Sequence, residues 1–253
     1  MLNERVLGRR ESISWLVGPR GMFLLLFGCI TVVYGATLSS TPLGGDAGEF
    51  ATLAAGPGVA HPPGYPLYSF LLRLLALVPF GAPALKASVL TATVGVGCAY
   101  ALFRAAMAWG AEPFAASVAV VLWAFAPLTW SLSTSPEVFV LNAALCVGMV
   151  AVAGPFALQR GTSRAVLLGL LAGLALSNHH PAVLMAPVGF YGLVVGARES
   201  GRPLRAVLLA VVAGLGGLLP YLLLLTSAAD PNARWVWGEF DSLSGLLHHL
   251  LRA

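Results

Sequence analysis

Charged side chains are scarce in this sequence. Lys, Arg, Asp and Glu make up 9% of the 253 residues, whereas hydrophobic residues make up 58%. An ordinary soluble domain carries about 25% charged residues. The 14 basic and 10 acidic side chains are too few to cover a globule of this size, which excludes a soluble enzyme. The sequence also lacks long polar tracts, which excludes a disordered protein.

Cysteine motifs and basic clusters are missing as well. The cysteines Cys29, Cys98 and Cys146 each lie within an apolar run, without CxxC or Cys/His spacing. This favours small buried apolar residues over a metal site. The net charge of +4 comes mainly from arginines scattered at the ends of apolar runs. Membrane orientation explains that pattern, so we expect no nucleic-acid partner.

Long unbroken apolar runs dominate the chain, in contrast to the alternating ten-residue segments of a β-barrel. A helix needs about 20 apolar residues to cross the hydrocarbon core. Seven stretches fit, the fifth and sixth of them short and separated by Pro181, which predicts a tight hairpin. The stretches are 21–38, 87–106, 114–133, 138–158, 165–178, 181–197 and 206–226. We therefore predict an all-α polytopic membrane protein, with about seven transmembrane helices in a single membrane domain over 1–253. The abundant Gly and Ala predict close helix packing.

The stretch 67–80 is ambiguous, because its 14 residues have Arg73 in the middle. It would reach about 21 Å, short of the roughly 30 Å core. If it lies in the interface, ten basic residues share one side, leaving Arg73, Lys86, Arg234 and Arg252 on the other. If it crosses, the division becomes seven to six, with Arg73 buried. The positive-inside rule favours the first arrangement. We predict an interfacial outer helix over 67–80 and a cytoplasmic N-terminus over 1–20; a signal peptide cleaved near Ala36 is the weaker alternative.

This orientation places the reactive side chains on one face. The tail 230–253 is also expected on this face. We expect the protein to lie in a bacterial inner membrane. The predicted outer side holds His61, His179, His180, His248 and His249, together with Asp46, Glu49, Glu137, Asp230, Glu239 and Asp241. We therefore expect any function to be carried on the non-cytoplasmic face.

The first outer segment, 39–86, contains the candidate catalytic residues. Asp46 and Glu49 lie one helical turn apart, after Gly44-Gly45. One interpretation is structural, with Asp46 as helix N-cap and Glu49 completing a variant of the capping box. The other is functional and compatible with it, because a carboxylate at a helix N-terminus stays ionised and well placed, as a general base or metal ligand must be.

The segment His61-Pro62-Pro63-Gly64-Tyr65-Pro66 follows. Its three prolines restrict the backbone and favour extended conformations at His61 and Tyr65. A rigid loop that presents an imidazole and a phenol beside two carboxylates suggests a site. The alternative is a proline-rich turn without function.

The remaining candidates lie at the ends of predicted spans. Glu137 and His179 lie in tight outer loops, where hydrogen bonding at the interface is the alternative role. Trp237 is explained equally by interfacial anchoring. Arg73 and Lys86 either snorkel to the interface or neutralise a lipid phosphate at the outer leaflet. His248-His249 is expected on the surface of a short amphipathic helix.

Together these motifs resemble the transmembrane protein 260 family. Gly45-Asp46-Ala47-Gly48-Glu49-Phe50 followed by the segment from His61 to Tyr68 is similar to its first-loop signature. Later motifs that are similar are Pro136-Glu137-Val138-Phe139, Asn178-His179 and Trp237-Gly238-Glu239. The resemblance covers nearly the whole chain, and the segment HPPGYPLY is its most specific part.

The resemblance implies a GT-C membrane glycosyltransferase with an O-mannosyltransferase-like activity. Such an enzyme moves a sugar from a polyprenyl-phosphate donor to a hydroxyl of a protein or glycan acceptor on the non-cytoplasmic face, next to membrane lipid. GT-C enzymes usually have more spans, so the chain is also expected to be an N-terminal part of a larger enzyme, inactive alone in that case.

The family's catalytic acid position corresponds to Asp46, with Glu49 as its neighbour. On this basis Asp46 is the general base, and Glu49 or Glu137 either orients it or shares a metal ion with it. Arg73, His61 and Lys86 are expected to hold the lipid phosphate. The other expected substrate-binding residues are Tyr65, Asn178, His179, Trp237 and Glu239. No cofactor is specified, and a divalent cation is left open.

A multi-pass transporter or lipid flippase is the rival interpretation. It would place ionisable groups near the middle of spans, where each costs about 2.5–3.5 kcal/mol or more. In this sequence they lie at span ends on one face instead. A structural membrane subunit is a further alternative, whereas an intramembrane protease lacks its serine or paired aspartate motif.

Overall fold

The computed structural model describes residues 19–41, 44–79, 81–240 and 242–251. Most of the predicted cytoplasmic segment, together with Phe80, Asp241 and Arg252, lies outside these residues. The described chain is mostly helical, as predicted. Its helices are α1 (Pro19–Ala36), α2 (Ala47–Leu53), α3 (Pro66–Ala76), α4 (Pro83–Ala108), α5 (Pro113–Ala124), α6 (Pro127–Thr134), α7 (Phe139–Ala153), α8 (Gly161–Asn178), a 3₁₀ helix (His180–Met185), α9 (Ala186–Glu199), α10 (Pro203–Gly217), α11 (Tyr221–Ala228) and α12 (Leu243–Leu251). The strands are β1 (Gly58–Val59) and β2 (Trp235–Val236).

Each of the seven predicted spans coincides with one helix or with two consecutive helices. Three helical segments of the described residues are long and apolar enough to cross a membrane: Pro83–Ala108, His180–Glu199 and Pro203–Ala228. The pair α5 and α6 passes the same test only as a bent unit. These helices are compatible with an integral membrane protein, and the number of seven spans stays a prediction.

Proline determines where the third predicted span breaks. The helices α5 and α6 are bent by 69° relative to each other. Ala126 has an extended backbone before Pro127, because the residue before a proline avoids the helical region. Pro127 also has no N–H to continue the hydrogen bonds of α5. The stretch 114–133 is therefore two helices rather than one.

Glycine allows a close contact between the helices α8 and α10. A Cβ atom on Gly169 would overlap the carbonyl of Ala210, and one on Gly173 would overlap that of Gly214. Small residues let helix backbones approach where lipid supplies no hydrophobic driving force. The close packing expected from the Gly and Ala content is confirmed here.

The helix α3 is shorter than the predicted stretch 67–80. Its 11 residues reach about 16 Å, too short for a hydrocarbon core of about 30 Å. One face buries Tyr68 and Leu72 in a core cluster with Phe50 and Val138. The cluster also contains Tyr65, so it anchors part of the first loop.

A short parallel strand pair joins the C-terminal segment to the first loop. Gly58 pairs with Trp235, and Val59 pairs with Val236. The backbone N–H of Trp237 extends the contact by donating to the carbonyl of Val59 at 3.2 Å. A side chain at position 58 would overlap the carbonyl of Trp235, so glycine is required at this contact.

Candidate active site

Helix α2 presents Asp46 and Glu49 differently from a capping box. Asp46 occupies the N-cap position, but its backbone is helical and its side chain makes no capping hydrogen bond. The Glu49 side chain reaches forward to His61 instead of back to the start of the helix. The capping-box interpretation is therefore wrong, although Asp46 does occupy the N-cap position and Glu49 does lie in the first helical turn.

Glu49 holds His61 through two hydrogen bonds. The backbone N–H of His61 donates to Glu49 Oε1 at 2.8 Å. The second contact joins His61 Nδ1 and Glu49 Oε2 at 2.6 Å. An ionised carboxylate only accepts hydrogen bonds, so this contact places a proton on Nδ1. Glu49 thereby fixes both the position of the imidazole and the direction of its other nitrogen.

The second imidazole nitrogen faces Tyr65 and Asp46. Tyr65 Oη lies 3.0 Å from His61 Nε2, and Asp46 Oδ2 lies 3.8 Å from the same atom. Tyr65 reaches this place from a left-handed backbone conformation, φ 42°, immediately after Gly64 at φ 89°. The structure thus brings together all four of the predicted first-loop residues.

The loop before α7 and the residues that follow α8 lie against this group. The ring of His179 stacks on Tyr65 with centroids 5.8 Å apart, and Phe139 meets His179 edge-on. Asn178 is fully buried and donates from Nδ2 to the carbonyl of Val138 at 3.2 Å. Asn178 therefore connects the two loops, whereas His179 lies directly against the first loop.

Glu137 lies beside Asp46 in a less polar place. Burial raises the pKa of its carboxyl from 4.5 to about 7, and the negative charge of Asp46 contributes in the same direction. Its Oε2 atom is buried and has no hydrogen-bond partner among the described residues. Glu137 can therefore carry a proton near neutral pH, which a simple surface carboxylate does not do.

The raised pKa of Glu137 makes folding stability depend on pH. The Glu137 carboxyl binds its proton more tightly in the folded protein than in the unfolded chain. The folded protein therefore loses stability as the pH rises from about 4.5 through about 7. We expect the unfolding temperature of the wild type to fall between pH 5 and pH 8, and that of Glu137→Gln to fall much less. The exposed Glu112→Gln variant is the control and should keep the wild-type slope. Equal slopes for the wild type and Glu137→Gln would contradict the assigned pKa.

Three predicted binding residues lie apart from this group. Arg73 donates from Nη1 to Ser227 Oγ at 2.9 Å, and its Nη2 lies 3.5 Å from Asp230 Oδ2. Lys86 donates from Nζ to the carbonyl of Val78 at 2.5 Å. Their role in phosphate binding stays a prediction. Trp237 is about half exposed and joins the first loop through its backbone.

The C-terminal helix α12 contains a histidine whose burial differs from the sequence-based expectation. His249 is 3% exposed, not on the surface as expected. It packs against Phe240 and lies beside Gly64 and Gly238. Its pKa is lowered, first by burial and then by the positive charge of a protonated His61. The one available signal was its spacing of three residues from Leu246, one helical turn.

The described residues contain no group of three or more His, Cys, Asp or Glu side chains with the geometry to hold a metal ion. Both oxygens of Glu49 accept hydrogen bonds from His61. Among the three carboxylates of this group, Asp46 and Glu137 are therefore free of such bonds to His61, and binding of a divalent cation stays an open prediction.

Comparisons with known proteins match the part of the chain that contains the first-loop residues. Residues 46–201 match the family described as Protein O-mannosyl-transferase TMEM260 N-terminal domain. Protein O-mannosyl-transferase TMEM260 of Mus musculus is 32% identical over 247 residues, covering 94% of this chain and 35% of the mouse protein. The protein of the same description from Dictyostelium discoideum is 28% identical over 247 residues, covering 90% of this chain and 30% of its own.

The chain thus spans about a third of the length of these curated relatives. No solved structure matches it. The matched range begins at Asp46 and includes Glu49, His61, Glu137 and His179.

Proposed function

This chain belongs to the protein O-mannosyl-transferase TMEM260 family, and from that premise we propose that it carries the active site for transfer of a mannosyl group to a protein hydroxyl. The observation that supports this most is the arrangement around His61. One carboxylate, Glu49, holds the imidazole, while a second, Asp46, stays 44% exposed and 3.8 Å from it. A positioned but accessible carboxylate is what a general base requires.

The proposed reaction uses a polyprenyl-phosphate sugar as donor. Asp46 accepts the proton of the acceptor hydroxyl while the hydroxyl oxygen forms a bond to the anomeric carbon. The bond from that carbon to the phosphate oxygen breaks, and its electron pair leaves with the phosphate. A correctly placed general base contributes about 10²–10⁴-fold to such a step.

The leaving phosphate needs donors for its developing charge. A protonated His61 donates from both nitrogens, so Nδ1 stays on Glu49 while Nε2–H is directed towards the space shared with Asp46 and Tyr65. A hydrogen bond from Tyr65 adds a second donor. In this proposal the guanidinium of Arg73 releases Asp230 and binds two oxygens of the lipid phosphate instead.

A transfer assay tests the proposal. The protein is reconstituted in lipid vesicles with radiolabelled polyprenyl-phosphate mannose and a peptide rich in Ser and Thr. We expect label on the peptide and release of the lipid phosphate. Consumption of the donor with label appearing only as free mannose would contradict transfer to a hydroxyl.

The location of the site is proposed to be non-cytoplasmic. The ten-to-four division of basic residues supports it. So do the contacts, because the first loop meets loop residues 137 and 179 and strand β2, all assigned to the same side.

Cysteine labelling tests the location. Single cysteines at the exposed positions Ser40 and Ser163, in a background without Cys29, Cys98 and Cys146, should react from opposite sides of the membrane. An impermeant maleimide on sealed vesicles makes the measurement. Labelling of both positions from one side would overturn the orientation.

A further inference from the structure

An apolar groove lies between the fifth, sixth and seventh predicted spans, away from the candidate active site. Helix α8 packs against both α9 and α10 and forms most of the floor, while α9 and α10 form the walls. The groove has a volume of about 420 Å³, and all of its lining residues are apolar or glycine, among them Gly169, Phe190, Leu193, Val211 and Leu215. Several of these side chains are exposed, so the groove is open to the surroundings of the helices.

A cluster of arginines lies at one end of the two walls, where the chain turns from α9 into α10. Arg198, Arg202 and Arg205 are exposed, and their side chains make no ion pair among the residues that the structure describes. The acidic residue of this turn, Glu199, is bound by the side chains and the backbone at the start of α8 instead. Three positive charges are therefore left without a negative partner at this end of the groove.

Two of these arginines lie where a positive charge is unfavourable. Arg202 is the N-cap residue of α10, and Arg205 lies in the first turn of that helix. The N-terminus of a helix carries a partial positive charge of about half an elementary charge, so it favours anions over cations. The first turn of α10 contains no acidic residue. An anion supplied from outside this turn would offset both the arginine charges and the helix dipole.

The distance between the arginines and the groove matches the depth of one membrane leaflet. Along α10, Val211 and Leu215 follow Arg205 by six and ten residues, which correspond to about 9 Å and about 15 Å. Half of a hydrocarbon core of about 30 Å is about 15 Å. A lipid whose phosphate contacts the arginines therefore has its acyl chains at the level of the groove.

We propose that this surface binds an anionic phospholipid, with its phosphate on Arg198, Arg202 and Arg205 and one acyl chain in the groove. A guanidinium donates two parallel hydrogen bonds to phosphate oxygens, and an acyl chain matches a lining without polar groups. A helix fits the groove less well. It is about 10–12 Å wide and rises about 5.4 Å per turn, so a single turn requires roughly 420–610 Å³, at least the whole volume of the groove.

The proposed phospholipid is distinct from the sugar donor of the proposed function. Helix α8 begins beside the arginine cluster and ends at Asn178, next to His179 and the first loop. Its 18 residues extend about 27 Å. A phosphate on the arginines therefore lies in the leaflet opposite to Asp46. The inference does not depend on glycosyl transfer, and its test needs no transfer reaction.

Native mass spectrometry tests the preference for an anionic headgroup. The full chain is reconstituted in nanodiscs that contain equal amounts of phosphatidylglycerol and phosphatidylcholine with the same acyl chains, and the lipids that stay bound after release are identified. We expect phosphatidylglycerol to be retained at least about 5-fold better, the effect of one basic residue near an anionic headgroup. The combined variant Arg198→Gln, Arg202→Gln and Arg205→Gln should lose this preference. The control Arg104→Gln, which removes a positive charge from α4 outside the groove, should keep it.

A matched pair of substitutions tests the groove. Val211 and Val212 are adjacent and exposed on α10, and of the two only Val211 lines the groove. Val211→Trp fills the space for the acyl chain and should lower the retention of phosphatidylglycerol at least about 10-fold, the effect of displacing about two methylene groups from an apolar site. Val212→Trp should keep wild-type retention.

The same measurements can overturn the inference. Equal retention of the two lipids by the wild type would do so, as would a preference that survives in the triple arginine variant or equal effects of the two tryptophans. Displacement of the bound lipid by glycerol phosphate would assign the arginines to a soluble phosphate instead. A lipid-free dimer would assign the groove to a second copy of the chain.

Discussion

Asp46→Asn is expected to lower the rate of mannosyl transfer by about 10²–10⁴-fold, the usual contribution of a general base. The amide has nearly the shape of the carboxylate but cannot take the acceptor proton. The Asp46 side chain makes no capping hydrogen bond, so folding should change little. The initial transfer rate at saturating donor and acceptor, with the unfolding temperature measured in parallel, gives the result.

The control for this prediction is Glu112→Gln, which neutralises one exposed carboxylate at the start of α5, outside the first loop. It should keep the wild-type rate. If Asp46→Asn retained more than about a tenth of that rate, Asp46 would not be the base, and Glu137 would be the next carboxylate to consider.

Glu49→Gln is expected to reduce transfer by about 10- to 100-fold, the effect of losing a residue that orients another. Both Glu49 oxygens accept hydrogen bonds from His61. Glutamine offers one acceptor, and its NH₂ group would face an N–H donor of His61. The imidazole must then turn or change tautomer, and its Nε2 atom loses its place beside Asp46 and Tyr65.

A double-mutant cycle separates positioning from general damage. If Glu49 acts through His61, the variant with both Glu49→Gln and His61→Ala should be about as slow as His61→Ala alone. The pH dependence of the rate should also change in Glu49→Gln. Fully multiplicative effects with an unchanged pH profile would show that the two residues act independently.

The sequence predicted which residues form the first-loop group, but it did not predict the hydrogen bonds between them. Helical spacing placed Asp46 and Glu49 on one face, and the prolines predicted a fixed loop around His61. The contact between Glu49 and His61 spans 12 residues, and no local periodicity reports a contact at that distance. The same limit applies to Arg73, whose partners Ser227 and Asp230 come from the far end of the chain.

The C-terminal contribution was missed for physical reasons. Strands of two residues carry too little alternation to be recognised, so the pairing of Gly58 with Trp235 was not foreseen. An amphipathic pattern shows which face of α12 is apolar. It does not show that Gly64 of the first loop lies against His249. The bend within the apolar run 114–133 was predictable, because Pro127 breaks a helix at the residue before it, but hydropathy alone does not show it.

The position of a bound donor tests the account most directly. The measurement is the distance from an Asp46 carboxylate oxygen to the anomeric carbon of a non-transferable polyprenyl-phosphonate mannoside, determined by cryo-electron microscopy with a bound Fab. One acceptor hydroxyl must fit between them, about 3 Å from the base and about 3–3.5 Å from the carbon. The account predicts a separation of about 6 Å with the mannosyl ring beside His61. A donor whose anomeric carbon lies more than about 10 Å from Asp46, with the ring away from the first loop, would contradict it.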